Sequence, residues 1–228
     1  MLTDAEIEVV RLSAMVAAWS VAVSILPGIL LGWLLARWNS PTRGVLQGAV
    51  MLPLVMPPVV TGYLLLWLLG RSGPLGQAWE AVSGGRIAYT TGACVIAAAV
   101  VGFPLMVEGI RIAVLGVDPK LEMVSRSLGR GRLSTFLRVT LPLALPGVIG
   151  GAVLSFARAL GEFGATIVLA GNVEGETRTI PIAVYTLMNT TDGEAGVLRL
   201  VAVSVAMSLA ALLAAGWLAR RQRRRAGR

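Results

Sequence analysis

Two opposite charges, Arg158 and Glu162, stand four residues apart inside a long apolar stretch of the sequence. Side chains at this spacing share one face of a helix, so the two can form an ion pair. A charge at the centre of a bilayer costs about 2.5–3.5 kcal/mol on insertion scales, and such groups face the bundle interior or a water-filled cavity. Gly161 and Gly164 flank the acid and predict an irregular helix there. The pair either fixes helix packing or supports a gate, and both interpretations stay open.

Residue types that are absent or rare exclude several other kinds of chemistry. The chain has no His, which excludes His-based zinc sites, general bases and proton relays. Cys94 is the only Cys, so neither a disulfide nor a thiolate metal cluster can form within the chain. The only Lys, Lys120, has no glycine turn before it, so there is no P-loop for a nucleotide. We therefore predict no metal, no cofactor and no enzymatic activity in this chain.

The composition is that of a membrane protein. Mean hydropathy is +0.77 and 14% of the 228 residues are charged, against about a quarter in soluble domains. Several apolar runs reach the ~20 residues that a helix needs to cross a bilayer. We predict an all-α polytopic membrane protein with a single transmembrane domain over residues 1–228. The net charge of +8 sits at span ends and in the C-terminal tail, which indicates contact with anionic lipid rather than nucleic acid.

About five transmembrane helices are predicted from the apolar runs. They cover residues 12–36, 45–69, 88–107, 143–170 and 197–219. The second span contains Pro53, Pro57 and Pro58, which predict a kinked helix. The kink is either a packing irregularity or the bend of a helix that lines a pathway. The segments between spans are loops at 70–87 and 171–179, a short interfacial helix around Trp79, and a short helix over 180–190.

Arginine is distributed unequally between the two ends of these spans. One end collects Arg37, Arg43, a basic loop at about 109–142 and the C-terminal tail, whereas the arginines of the other end are scattered among acids. Short loops rich in Lys and Arg stay in the cytoplasm. With five spans, this rule places the N-terminus outside and the C-terminus in the cytoplasm.

The longest polar interruption between apolar runs is the stretch 118–146 within the basic loop. Its apolar residues recur at helical spacing: Leu121, Val124, Leu128. Gly129 follows them as a stop signal. We predict a short amphipathic helix, a glycine turn, and a second helical piece that leads through Leu141-Pro142 into the fourth span. Such a helix, exposed in the cytoplasm, is shaped to be held by a partner protein.

This loop resembles the cytoplasmic loop of importer permeases of the ABC superfamily, which has the form E-A-A-x3-G-x9-I-x-L-P. Gly129 fits its glycine, Val139 stands at the isoleucine, and Leu141-Pro142 match its end at the correct spacing. The E-A-A triplet falls on Met123-Val124-Ser125 and is lost, and Glu122 sits one place early.

Two later stretches, ARALGEFGATIVLAG (157–171) and GETRTIP (175–181), are similar to the molybdate permease branch of the same family. The resemblance covers the chain from about residue 45 to the C-terminus. It implies a type I ABC importer permease fold in the bacterial inner membrane and import of an oxyanion, with molybdate favoured over tungstate or sulfate. It also implies three partners: two copies of an ABC ATPase subunit, a second permease copy in a homodimer, and an extracytoplasmic molybdate-binding protein.

The residues expected to act in transport fall into two groups. The resemblance places the ATPase-coupling group in the central loop: Glu122, Ser125, Arg126, Leu128, Gly129, Val139, Leu141, Pro142. The pathway or gate group lies within the membrane: Arg158, Gly161, Glu162, Thr166, Thr61, Tyr63. A carboxylate repels an oxyanion, so we expect Glu162 to hold Arg158 or close a gate. The hydroxyls of the second group either offer neutral hydrogen bonds to the anion or are simply packed.

A different class of function is a secondary transporter or channel that works without an ATPase. Inverted repeats would favour that class, and the sequence shows none.

Overall fold

The computed structural model describes residues 2–191 and 193–225, and within these it contains helices and turns but no strand. The helices are α1 (Asp4–Arg37), α2 (Arg43–Val55), α3 (Pro58–Leu69), α4 (Pro74–Ser83), α5 (Thr91–Leu115), α6 (Pro119–Ser127), α7 (Arg132–Thr135), α8 (Leu141–Leu160), α9 (Gly164–Ala170), α10 (Ile180–Met188) and α11 (Glu194–Arg225). A π-helical stretch, Phe136–Thr140, joins α7 to α8 and is called the π segment below. The predicted all-α fold is confirmed.

Among the residues that the structure describes, four helical stretches are long and apolar enough to cross a membrane: α1, α5, Arg132–Leu160, and Glu194–Ala214 within α11. The pair α2 and α3 makes a fifth span if the two count together, but the chain bends by 109° between them. Met56 is extended, as residues before a proline tend to be. Pro58 is the first residue of α3, a position whose N–H has no acceptor within the helix, so a proline is tolerated there. The predicted kink is therefore a full break between two helices, and the expected number of about five spans agrees with the structure.

The helices of the third and fourth spans have different bounds from the predicted spans. The third was expected to end near residue 107, but α5 continues to Leu115, so Glu108 and Arg111 lie inside a helix. The two side chains pair, since Arg111 Nε donates to Glu108 Oε2 at 2.8 Å. The fourth was expected over residues 143–170, but α8 ends at Leu160 and α9 is a separate helix beyond a three-residue break. The predicted helices near Trp79 and after residue 179 are present as α4 and α10, and the interfacial position of α4 stays a prediction.

The second helical piece of the central loop leads through Leu141-Pro142 into the fourth span, as expected from the sequence. Helical backbone runs from Arg132 through the π segment into α8. Pro142 has no N–H to donate to the carbonyl four residues back. The N–H of Leu141 donates to the carbonyl of Phe136, five residues back, which is the bonding of a π turn. The central loop is thus connected to the fourth span by one continuous helix.

Helix α5 lies at the centre of the bundle, between α1 and α8. Its crossing with α8 is made of glycines. A Cβ atom at Gly151 would lie 2.9 Å from the carbonyl oxygen of Met106, and one at Gly109 would lie 2.9 Å from the Cα of Gly151. A Cβ at Gly147 would overlap the side chain of Ala113. Membrane helices associate through such small residues because lipid tails are as apolar as the side chains themselves.

A second glycine crossing joins the halves of the two broken spans. A Cβ atom at Gly62 in α3 would lie 2.8 Å from the Cα of Ala165 in α9. A Cβ at Gly164 would lie 2.7 Å from the Cβ of Pro58. The breaks after α2 and after α8 therefore lie close together, at the place where α3 packs against α9.

Ion pairs tie other elements to both ends of α1. At its start, Glu6 accepts hydrogen bonds from Arg199 of α11, from Nε to Oε2 at 3.1 Å and from Nη2 to Oε1 at 2.7 Å. At its end, Arg37 donates to Glu122 of α6. A helix of 34 residues is about 50 Å long, so these two pairs lie at opposite ends of the bundle. The basic loop and the start of α11 are therefore on opposite sides, as the sequence predicts.

Candidate functional site

The intramembrane charges lie where α8 gives way to α9. Glu162 is 2% exposed, and its Oε1 accepts a hydrogen bond of 2.8 Å from the N–H of Ala165 in the first turn of α9. Arg158 Nη1 lies 2.8 Å from Glu162 Oε2, although the angle is not that of a hydrogen bond. The predicted ion pair is present. A helix N-terminus favours a negative charge, so α9 and Arg158 together stabilise the buried carboxylate.

The side chains of Arg158 and Glu162 differ in their exposure at the surface of the chain. The side chain of Arg158 is 27% exposed, whereas that of Glu162 is 2% exposed. Of the pair, it is therefore the arginine that can meet a solute, and the carboxylate lies behind it. This arrangement agrees with the expectation that Glu162 holds Arg158. A role of either residue in a gate or pathway stays a prediction.

The three hydroxyl residues of the pathway group lie in different surroundings. Thr61 is 5% exposed, and its Oγ1 has no hydrogen-bond partner among the described residues. Thr166 is buried, and it follows Ala165, which meets Gly62 at the crossing of α3 and α9. Tyr63 is exposed on the outer side of α3. Thr61 and Thr166 are thus buried beside the two residues that meet at this crossing, whereas Tyr63 is exposed. The use of any of them in transport stays a prediction.

The central loop forms a small helical surface. Asp118 caps α6 by accepting from the N–H of Lys120 at 2.8 Å, and Gly129 ends it with a φ of 82°. A positive φ is readily adopted by glycine, so this position makes the predicted turn. The apolar residues of the loop point away from the bundle: Leu121, Val124, Leu128 and Leu133 are all exposed. Exposed apolar surface is typical of interaction sites, and the use of this surface to hold a partner stays a prediction.

Most of the remaining residues of the coupling group attach this surface to the bundle. Ser125 is buried and shares a hydrogen bond of 3.1 Å with Thr135 of α7. Glu122 Oε1 accepts from the hydroxyl of Thr140 at 2.7 Å and from Arg37. Three other members lie on the continuous helix that leads into the membrane: Val139, Leu141, Pro142. Arg126, like the apolar residues, is exposed.

Sequence reasoning missed Arg37 and Thr140 as parts of this site. Arg37 stands 85 positions from Glu122, and it served only as evidence for which end of the bundle is cytoplasmic. A basic residue at the end of a span has no local feature that would reveal so distant a partner. Thr140 lies 18 positions from Glu122 and belongs to a π turn that the sequence pattern does not signal.

The geometry of a helical bundle with an exposed amphipathic loop has a counterpart among known proteins. The profile of the family described as binding-protein-dependent transport system inner membrane component matches residues 28–224. The chain belongs to this family. With several apolar helices, this inner membrane component is a multi-pass protein of the cytoplasmic membrane.

Curated relatives of this inner membrane component match it along its whole length. It is 51% identical over 227 residues to the molybdenum transport system permease protein ModB of Escherichia coli (strain K12), covering 100% of this chain and 99% of the relative. It is 42% identical over 222 residues to ModB of Haemophilus influenzae, covering 97% of each chain.

Solved structures of ABC transporters share the fold of this inner membrane component at low identity. A chain of the bacterial alginate ABC transporter, in complex with an alginate pentasaccharide-bound periplasmic protein, matches with a TM-score of 0.74 and 18% identity. The match covers 96% of this chain and 80% of that one. A chain of the MetNI methionine ABC transporter in inward facing conformations matches with a TM-score of 0.69 and 14% identity, covering 95% and 94%. The predicted fold of an ABC importer permease is thus confirmed.

Proposed function

We propose that this chain is the permease subunit of an ATP-driven importer of molybdate. The observation that carries the proposal is the 51% identity to a molybdenum transport permease over 100% of this chain and 99% of that relative. Two copies of the chain would form the translocation pathway, and two copies of a separate ATPase subunit would bind and hydrolyse ATP. The alginate ABC transporter that shares the fold was solved with a periplasmic protein, which supports an extracytoplasmic binding protein as the third partner.

In this proposal α6 is the coupling helix that the ATPase subunit holds. Its exposed apolar residues would be buried in a groove of the ATPase, which favours association because apolar surface leaves water. Its buried side carries Glu122, which is hydrogen-bonded to Thr140 of the π segment, and Ser125, which is hydrogen-bonded to Thr135 of α7. A displacement of α6 would therefore be passed to α8 through the continuous helix Arg132–Leu160.

The broken end of α8 is where such a displacement would reach the solute. The Arg158–Glu162 pair and the α3–α9 crossing both lie there. Pairing with Glu162 reduces the positive field of Arg158, so a passing dianion would be held only weakly. Weak contact at depth suits transport, since a solute must leave a site as readily as it enters.

The test of this function is uptake into vesicles that contain the permease, its ATPase subunit and its binding protein. We expect molybdate uptake to require ATP on the ATPase side and to stimulate ATP hydrolysis. Competition between unlabelled oxyanions and labelled molybdate identifies the substrate. Unlabelled molybdate should inhibit the uptake of labelled molybdate more strongly than tungstate or sulfate does. Uptake that runs on an ion gradient without the ATPase subunit would show a secondary transporter instead, and stronger competition by sulfate would make this a sulfate permease.

The predicted orientation can be measured by thiol labelling in a Cys94→Ala background, which removes the one native thiol. Ser83 at the end of α4 and Ser127 at the end of α6 are both exposed serines on short helices, and so form a matched pair. Cysteine at Ser83 should react with an impermeant reagent in intact cells. Cysteine at Ser127 should react only after permeabilisation, and the ATPase subunit should protect it.

The opposite pattern, with Ser127→Cys labelled in intact cells, would contradict the orientation and with it the coupling role of α6. Protection of Ser83→Cys by the ATPase subunit would contradict the assignment of the docking surface. Labelling of Ser83→Cys with and without the ATPase subunit is therefore the internal control.

A further inference from the structure

We propose that Arg37 locks α1 to the coupling helix α6, so that α1 moves together with this helix during transport. The inference rests on the proposed function, because it assumes that an ATPase subunit drives α6. The route described above leads from α6 into α8 alone. The contacts of Arg37 add a second route, into the first span.

Glu122 is the centre of this lock. Its Oε1 accepts from Arg37 Nε at 3.2 Å, from Arg37 Nη2 at 2.9 Å and from the hydroxyl of Thr140 at 2.7 Å. Arg37 Nη2 also donates to the carbonyl of Val117 at 3.0 Å. The four residues belong to the end of α1, the α5–α6 connection, the first turn of α6 and the π segment. A single carboxylate oxygen therefore joins elements from three parts of the chain.

The lock is only partly open to water, which preserves its strength. The side chain of Arg37 is 20% exposed and that of Glu122 is 19% exposed. Ion pairs on an open surface contribute little because water and salt screen them. Hydrogen bonds with charged partners in a sheltered site are about twice as strong as neutral ones. A shift of α6 relative to α1 would break two of these bonds at once, so the two helices are expected to shift together.

Two further contacts hold the same elements as one unit. Trp33, one helical turn before Arg37, packs against Phe136 of the π segment with ring centroids 5.4 Å apart in an edge-to-face arrangement. Ser125 bonds Thr135 just before that segment. Helix α1 therefore touches the π segment directly at Trp33 and through Glu122 at the next turn, while α6 holds it from the other side. π turns within helices occur frequently at functional sites, where a helix can change its register.

The geometry of the lock requires an arginine. Arg37 meets a carboxylate and a backbone carbonyl through a planar guanidinium, whose donors are fixed in a fork. A lysine has a single ammonium on a flexible stem and cannot present the same pair of directions. Lysine at this position would keep the charge and the attraction to Glu122, but it would hold α6 less rigidly.

The experiment measures molybdate imported per ATP hydrolysed in the complete reconstituted transporter. For Arg37→Gln we expect this ratio to fall roughly tenfold, the size of effect that loss of hydrogen bonds to a charged group produces, while ATP hydrolysis continues. Arg37→Lys should give an intermediate ratio, and Thr140→Val, which leaves both charges in place, a smaller loss. Arg11→Gln, which changes an exposed arginine near the other end of α1, is the matched control and should keep the wild-type ratio.

A wild-type ratio in Arg37→Gln would overturn the lock. So would failure of Arg37→Gln, Arg37→Lys and Thr140→Val alike to assemble with the ATPase subunit, because that result marks a purely structural contact. Partial recovery of the ratio when Arg37→Glu is combined with Glu122→Arg would support it. The wild-type transporter separates the two proposals: absence of molybdate import there refutes the proposed function, whereas coupled import in both wild type and Arg37→Gln refutes only the lock.

Discussion

Replacing Arg158 by Gln is expected to be more damaging than replacing Glu162 by Gln. The Glu162 side chain is 2% exposed and that of Arg158 is 27% exposed. Arg158→Gln therefore strands a buried carboxylate, and removing one partner of a buried pair costs about 3–5 kcal/mol. Glu162→Gln leaves an arginine that reaches the space outside the chain, and it keeps an oxygen for the N–H of Ala165. We expect its cost to lie below the lower end of that range.

A double-mutant cycle on these two positions measures their coupling. Each variant is assayed for the free energy of unfolding in detergent and for molybdate uptake in vesicles. The Arg158→Gln and Glu162→Gln double change should be milder than the sum of the single changes, because no charge is left unpaired. If Arg158 also meets the anion, the double variant should fold well and yet not transport. Additive losses in both assays would mean that the two residues have no interaction energy with each other.

The chain offers a matched control for this cycle. Glu174 and Arg178 are also four residues apart, with 3.2 Å between Glu174 Oε2 and Arg178 Nη1, but the side chain of Glu174 is 68% exposed. Exposed ion pairs contribute about 0–1 kcal/mol. Arg178 also donates to Asn172 Oδ1 at 2.8 Å, a contact whose loss the double-mutant cycle subtracts. The coupling energy between Glu174→Gln and Arg178→Gln should therefore be small, and coupling as large as that between Arg158 and Glu162 would show that spacing, not burial, sets the effect.

Features that depend on residues close to one another in the sequence were predicted correctly. The apolar runs indicated the number of spans, because a bilayer fixes the length of a crossing helix. The spacing of Arg158 and Glu162 predicted their pairing, and Gly129 predicted the turn with positive φ. The glycines beside Glu162 predicted an irregular helix, and the structure has a complete break there.

Features that depend on distant partners could not be predicted in this way. Arg37 and Glu122 are separated by 85 positions, and nothing near either residue indicates the other. The third span was expected to end near residue 107, whereas α5 continues to Leu115 and contains Glu108 and Arg111 as a neutralised pair. The π segment arises from the missing N–H of Pro142 within a helix that tertiary contacts hold together.

The sequence also contains a G-x-x-x-G pattern, at Gly147 and Gly151, that could have predicted a helix contact. This pattern marks close helix contact in membranes. The structure places these two glycines at the crossing of α8 with α5, against Ala113 and Met106. The pattern identifies the contacting face of one helix but not its partner, which only the folded chain reveals.

Gly151→Ala is expected to destabilise the permease by about 1–3 kcal/mol, the usual cost of overfilling a packed interior. The added Cβ would lie 2.9 Å from the carbonyl oxygen of Met106 and 3.3 Å from its Cα. These are backbone atoms of the central helix α5, so they cannot turn aside as the tip of a side chain would. The bulkier Gly151→Leu should lower the stability further and reduce the yield of folded protein. Thermal unfolding in detergent measures both effects.

Gly150 is the matched control because it is the adjacent residue of the same helix, and no described residue outside its own stretch of helix has a heavy atom within 4 Å of a Cβ placed there. Alanine is a better helix former than glycine by about 1 kcal/mol, a gain that both variants share. Gly150→Ala should therefore unfold at or above the wild-type temperature, and Gly151→Ala below it. The difference between the two variants isolates the overlap with α5 from the change in helix propensity. Equal unfolding temperatures would mean that α8 can move away from α5 at little cost, and the glycine crossing would then not be what holds the two central helices together.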